Sequence, residues 1–286
     1  MKVIVFGGSG QLGRALSHWA PRTVKLHALT RSDADIGDAA QVAAAFDARK
    51  PDLVINAAAY TAVDAAETDP AEAMRINGEA PGHIARACRL SGARLVHIST
   101  DYVFDGGATR PYRPDDAVHP LSVYGRSKRA GEDAVRQALP EALLVRSQWL
   151  YAATGRNFVT TMLDLMARRD AIDVVADQVG APTHAASLAR AIWALADAGA
   201  RGVHHFADGG EASRHEFAVA IEAEARAGGL IDGAEIAPVT SADYPAAAPR
   251  PRYSVLDCSK TWAITGAPRH WRDELRVALA GRKAMA

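Results

Sequence analysis

The run Val3-Ile4-Val5-Phe6-Gly7-Gly8-Ser9-Gly10-Gln11-Leu12-Gly13 decides how the rest of this 286-residue chain is read. Its first four residues are apolar without alternation, as a strand buried on both faces of a parallel sheet requires. Glycines at 7, 10 and 13 then give G-x-x-G-x-x-G. Such a turn lets the backbone bend sharply, approach a pyrophosphate, and bring the next helix close to the sheet. The helix predicted over 11–20 would offer free N–H groups and a positive dipole end to the phosphates. Glycine turns are common, so the triplet alone is weak. A strand before it and a helix after it make it a dinucleotide-binding turn.

Beyond this turn, strands and helices alternate. Strand patterns occur over 24–29, 53–55, 94–99 and 143–145, and helical patterns over 40–49, 71–90 and 122–138. Apolar strands separated by helices at this spacing indicate βαβ units and a parallel sheet. Right-handed crossovers then lead to an α/β fold of the doubly wound, Rossmann kind. After about Trp149 the rhythm changes. Helices are expected over 157–169, 185–198 and 215–227, with short strands over 172–175, 203–206 and 235–239. Residues 1–150 therefore read as a dinucleotide-binding domain. Residues 151–286 read mainly as a smaller α/β substrate-binding lobe, with some elements returning to the main sheet. The Pro-rich stretch 245–251 reads as a loop ordered by contact with something else.

Composition excludes several classes. Hydrophobic residues make up 49% and charged residues 23%, with a formal net charge of zero and a pI near 7.2. No basic footprint argues for nucleic acid, and no window has the apolar length of a membrane span. Lys2 leads directly into a strand-like run, so no signal peptide is expected. Cys88 and Cys258 lie far apart with no metal spacing, which fits packing roles in a reducing cytoplasm. The ten histidines show no ligand spacing, and adjacent His204 and His205 should point to opposite faces of a strand. No metal is expected.

Nucleotide preference is read at the end of the second strand, in Leu29-Thr30-Arg31-Ser32. An acid there favours NAD, whereas a basic residue can hold the 2′-phosphate of NADP. Arg31 and Ser32 favour NADPH; Asp33 keeps NADH possible. Asn56-Ala57-Ala58-Ala59-Tyr60-Thr61 leaves the third strand with small side chains, which make room for a cofactor or simply reflect an alanine-rich chain.

The chemistry is carried by Tyr124-Gly125-Arg126-Ser127-Lys128. Residues four apart on a helix share a face. A free tyrosine has a pKa near 10, poorly matched to acid–base work at neutral pH, and a nearby ammonium lowers it. The pair gains weight because Ser99-Thr100-Asp101 ends the preceding strand and puts a hydroxyl, Thr100, within reach of the same site.

Together these segments resemble the extended short-chain dehydrogenases/reductases. Longer strings narrow the resemblance: Asn56-Ala57-Ala58-Ala59-Tyr60-Thr61-Ala62-Val63-Asp64, Ser99-Thr100-Asp101-Tyr102-Val103-Phe104-Asp105-Gly106, Asp177-Gln178-Val179-Gly180-Ala181-Pro182-Thr183, and Pro249-Arg250-Pro251 ahead of Ser254-Val255-Leu256. From end to end the chain is similar to the dTDP-4-dehydrorhamnose reductase family. The resemblance implies reduction of a nucleotide-linked 4-keto sugar by NADPH, with Tyr124 as proton donor. Lys128 would hold the nicotinamide ribose and depress the Tyr124 pKa, and Thr100 would hydrogen-bond the reacting oxygen. It also implies cofactor contacts at Gly10, Gln11, Leu12, Thr30, Asp35, Ile36, Ala59, Tyr60 and Thr61, and sugar contacts at Val63, Asp101, Tyr102 and Trp149. Trp149 could equally be a core aromatic. Some relatives bridge a dimer through Mg²⁺ held by glutamates; the matching positions here are Ala15 and Ala186. A monomer or another homodimer is then expected. Other keto-sugar reductases, epimerases and a non-catalytic regulatory subunit share the fold and stay open at this stage.

Overall fold

The computed structural model describes residues 1–244 and 246–283. In the first half, strands β1 (Lys2–Phe6), β2 (Lys25–Leu29), β3 (Leu53–Asn56), β4 (Arg94–Thr100) and β5 (Leu143–Ser147) alternate with helices. The helices are α1 (Gln11–His18), α2 (Ala39–Arg49), α3 (Val63–Thr68), α4 (Pro70–Met74), α5 (Ala80–Ser91) and α6 (Val123–Ala138). The second half contributes β6 (Leu150–Tyr151), α7 (Phe158–Met166), β7 (Ala171–Val175), β8 (Val179–Gly180), β9 (Thr183–His184) and α8 (Ala185–Asp197). It continues with β10 (Gly202–Phe206), β11 (Ala212–Ser213), α9 (Arg214–Ala227), β12 (Glu235–Val239), α10 (Ser259–Thr265) and α11 (Trp271–Lys283).

The main sheet is six-stranded and parallel, in the order β10-β5-β4-β3-β1-β2. Period-two alternation divides its side chains between two cores. Ile4, Phe6, Val54, Leu95 and Leu144 meet Val42 and Phe46 of α2, Ile84 of α5 and Val135 of α6. Val3, Val5, Ile55, Val96 and Val145 meet Leu12 and Leu16 of α1 and Leu188, Ile192 and Leu195 of α8. Each such fully buried aliphatic contributes about 1.5–3 kcal/mol. β10 and α8 thus join the main sheet although they follow residue 150. Much of the remaining second half builds its own core around Tyr151, Leu163, Phe217, Trp271 and Leu275, while Ala181, Leu256 and Cys258 pack with Val103, Phe104 and Tyr112 of the first half.

Local caps set the helix starts. Asp38 accepts from the Ala40 and Gln41 amides at α2, Ser122 from Gly125 at α6, and Ser213 and Glu216 form a capping box on α9. The helix expected over 71–90 is not uniform: Arg75–Glu79, between α4 and α5, winds as a π-helix. Pro81 has no N–H to continue the α ladder, and the widened turn turns Asn77 toward the residues after β3. Its Oδ1 accepts from the Tyr60 amide, and its Nδ2 donates to the Tyr60 carbonyl, both at 2.9 Å. The short helices α3 and α10 and the longer α11 lie where no helix was expected. Within the expected loop 245–251, the Ala248 amide and the Arg250 guanidinium bond to Asp64 of α3, which supplies the ordering contact; Pro245 lies outside the described residues.

Cys88 and Cys258 are buried free thiols. His204 bonds to Thr261 and His205 to the Tyr112 carbonyl, on opposite sides of β10, and burial keeps both well below the usual histidine pKa. No helix of the described residues is long and apolar enough to cross a membrane. Among the described residues, no group of three or more His, Cys, Asp or Glu side chains could hold a metal ion.

Candidate active site

The sheet order reverses around β1 and β3, and a cleft of about 800 Å³ opens there beyond the carboxyl ends of the strands. At one end lies the glycine turn. Gly7 has φ +82°, and a Cβ there would come within 2.8 Å of the Ala57 and Ala58 backbone. Only glycine takes this conformation without strain. Gly10 caps α1 with no side-chain hydrogen bond, and the first turn carries no acid. Its amides are therefore free for a phosphate. Gly13 does not line the cleft; a Cβ there would run into the Gly7 carbonyl, so this glycine lets α1 pack on the turn.

Gln11, Leu12, Thr30, Arg31, Asp35, Ile36, Ala59, Tyr60 and Thr61 all line this end. Leu12 and Ile36 are also core residues. Asp33 turns its carboxylate back on Thr30, accepting from its amide at 2.8 Å and its hydroxyl at 2.7 Å. One oxygen of the acid that would select NADH is thereby engaged by its own loop. Arg31 is largely exposed and lies 3.3 Å from Glu72 and 3.9 Å from Asp35. A 2′-phosphate would compete with those carboxylates for its guanidinium. Arg31→Ala should then raise the KM for NADPH roughly tenfold, with little change for NADH; an equal effect on both cofactors in steady-state assays would remove Arg31 from the selection.

At the other end, the cap at Ser122 starts α6 so that Tyr124 and Lys128 both face the cleft. Lys128 donates to the Ile98 carbonyl at 2.7 Å. Burial lowers its pKa to about 8, opposed by the charge of Glu132 one turn on. Tyr124 departs from the sequence expectation. Burial pushes its hydroxyl above the ordinary tyrosine value, with Asp101 and Tyr102 adding to the rise and a hydrogen bond with Thr100 opposing it. The desolvation of a phenolate prevails, and Lys128 is not among the groups that lower it. The phenol is therefore protonated at neutral pH.

Thr100 ends β4 and donates to Asp101 Oδ1 at 2.9 Å. Asp101 is 1% exposed; burial raises its carboxyl to about 6 against hydrogen bonds from Ser254 and Thr100 and the charge of Arg214. The Tyr102 ring meets the Tyr124 ring edge-on at 5.4 Å. Val63 opens α3 at the cleft wall. Trp149 sits at φ +45°, a strained value for a bulky residue, and its ring packs against Gly180 and Arg214. It lines the cleft and also packs against the second-half core.

Several cleft residues escaped the sequence reading, and two of them carry polar groups of consequence. Gln148 is 2% exposed, and neither of its amide atoms has a partner among the described residues; Asp101 Oδ2 and Ser147 Oγ share this condition. Buried polar groups need partners, and a ligand rich in hydroxyls and amides would supply them. Arg214 is the second. No local pattern marks either residue, because their places in the cleft come from folding of distant segments. The uncapped turn and these orphaned atoms fit a dinucleotide and a polar substrate.

A phenol held protonated beside a dinucleotide turn is the working part of a short-chain dehydrogenase/reductase. The large segment beyond residue 150 that helps wall the cleft places this chain among the extended members of that class. A family model described as the RmlD substrate binding domain matches residues 1–283. The chain is 49% identical to dTDP-4-dehydrorhamnose reductase of Mycobacterium tuberculosis (strain H37Rv), over 98% of this chain and 92% of that one. The crystal structure of a dTDP-4-dehydrorhamnose reductase from Clostridium acetobutylicum superposes with a TM-score of 0.93 at 37% identity, covering 99% of this chain and all of that one. That of the Bacillus anthracis reductase in complex with NADP gives 0.92 at 34% identity, covering 98% and 99%. The chain belongs to the dTDP-4-dehydrorhamnose reductase family.

Proposed function

We propose that this protein reduces the C4 keto group of dTDP-4-dehydro-β-L-rhamnose with NADPH, giving dTDP-L-rhamnose for nucleotide-sugar biosynthesis. The observation that carries this reading is a protonated Tyr124 in one cleft with Lys128, Thr100 and an open glycine turn. When bound, NADPH supplies the hydride. Gly7, Gly10, Gln11 and Leu12 would hold its pyrophosphate, Arg31 its 2′-phosphate, and Lys128 its nicotinamide ribose. Tyr124 donates its proton to the C4 oxygen as negative charge develops there. An alkoxide is a stronger base than a phenolate, so a tyrosine with a raised pKa still transfers its proton downhill. Thr100 hydrogen-bonds the same oxygen, and Val63, Asp101, Tyr102 and Trp149 enclose the sugar. A regulatory subunit would have no physical need for such a phenol.

We assign residues 1–150 to cofactor binding and 151–286 mainly to the substrate, a division supported by Phe158 and Arg214 in the cleft wall. Two buried free thiols favour the cytoplasm. Ala15 and Ala186 offer no carboxylate to a bridging Mg²⁺, which favours a monomer or a metal-free homodimer. The test is NADPH oxidation with dTDP- and UDP-linked 4-keto sugars. Turnover of the dTDP-linked sugar is expected, and turnover of a UDP-linked sugar alone rejects the substrate.

A further inference from the structure

Arg214 begins α9, and its guanidinium lies 3.6 Å from the centroid of the Trp149 ring and 5.3 Å from that of Phe158. It lines the cleft. Among the described residues, no carboxylate comes within ion-pair distance of it. Its polar surroundings are the Tyr102 hydroxyl, with the charges of Asp101 and Arg250 further off. The other cleft cations are differently placed. Arg31 pairs with Glu72, Lys128 bonds to a backbone carbonyl, and Arg14 and Arg156 are exposed to water. Arg250, which also approaches Tyr102, has its charge taken up by Asp64 at 2.6 Å.

A half-buried guanidinium laid on two aromatic faces, without a carboxylate, has lost part of its water and is best completed by an anion. The helix end beside it is no competitor for that anion, since Ser213 and Glu216 already cap α9. Stacking on Trp149 leaves the in-plane N–H edge for a bidentate acceptor, and phosphate oxygens match that fork. Its neighbours Asp101, Tyr102 and Trp149 belong to the substrate half of the cleft. We propose that Arg214 is the anion-binding residue of that half and takes the diphosphate of the nucleotide sugar. In such a substrate the diphosphate is bonded to the sugar itself, so a sugar seated at Tyr124 and Thr100 brings its first anionic group to the next ring of residues. The assignment of the anion to a nucleotide sugar rests on the function proposed above; the anion site itself does not.

The experiment compares wild type, Arg214→Ala and Arg214→Lys by calorimetric titration with dTDP, UDP, thymidine and NADPH. Arg214→Ala should weaken dTDP and UDP roughly 10- to 100-fold while thymidine and NADPH change by less than about twofold. Lysine, which keeps the charge but not the fork, should fall between. In turnover the loss should appear in the KM for the sugar substrate more than in kcat. Diphosphate binding that survives in the alanine variant overturns the proposal. So does an equal loss for dTDP and thymidine with an unchanged melting curve, because the loss would then not follow the phosphates. A wild type that binds dTDP through Arg214 yet fails to reduce the keto sugar sinks the proposed reaction and leaves this site standing.

Discussion

Tyr124→Phe is expected to lower turnover roughly 100- to 10,000-fold, the usual worth of a positioned acid, while NADPH still binds. The substitution removes one oxygen and keeps the ring, so the edge-on contact with Tyr102 survives. Lys128 keeps its bond to the Ile98 carbonyl, and the glycine turn is untouched. What disappears is the proton held next to Thr100. Because burial holds that phenol above the ordinary tyrosine value, Tyr124 should not be the group that limits activity from the alkaline side. Lys128 should titrate first: its charge is lost as pH rises through about 8. Stopped-flow reduction and an NADPH titration on the same variant separate the two effects. Near-normal turnover would move the donor elsewhere, and lost NADPH binding would show that the hydroxyl serves the cofactor instead.

Arg146→Ala should destabilise the protein by about 3 kcal/mol, because it strips a buried carboxylate of its two-pronged buried partner and leaves it the half-exposed Arg136 at 3.0 Å. Arg146 and Glu132 are 1% and 0% exposed, and two 2.7 Å hydrogen bonds join them. Burial pushes the Glu132 carboxyl up, yet the Arg146 hydrogen bond and charge outweigh it and bring the pKa to about 2 from an ordinary 4.5. A carboxyl with a depressed folded pKa adds stability that is present above 4.5 and is lost as pH falls towards 2. In the alanine variant burial is opposed only by Arg136, Arg129 and the Ser99 hydrogen bond, Glu132 takes up a proton more readily, and the difference from wild type should shrink in acid. Urea unfolding at neutral and acid pH measures both. A constant difference across pH would mean that the loss is one of packing over Phe104 rather than of charge. Glu132 lies on α6 one turn beyond Lys128, so the same change should also loosen the acid–base pair.

The outcome for individual residues shows where reading from the chain stops. The apolar runs at 3–6 and 53–55 became central strands, and Gly7 took the left-handed turn required of it. By contrast, the run 71–90 looked evenly helical, whereas Arg75–Glu79 winds as a π segment in which Asn77 bonds to Tyr60 and Ser127. Lys128 was expected to acidify Tyr124, whereas the folded chain binds it to Ile98 and buries the phenol.

Sequence by itself determined what depends on neighbours a few residues away: strand and helix periodicity, the glycine turn, and the shared face of Tyr124 and Lys128. Tertiary structure alone decided how each charge is solvated, and with that the direction of the Tyr124 shift and, among the described residues, the orphaned amide of Gln148 and the Arg214 guanidinium that no carboxylate pairs. The reason is that periodicity is a property of local backbone geometry, while desolvation and charge pairing depend on groups that lie far apart along the chain and meet only when it folds.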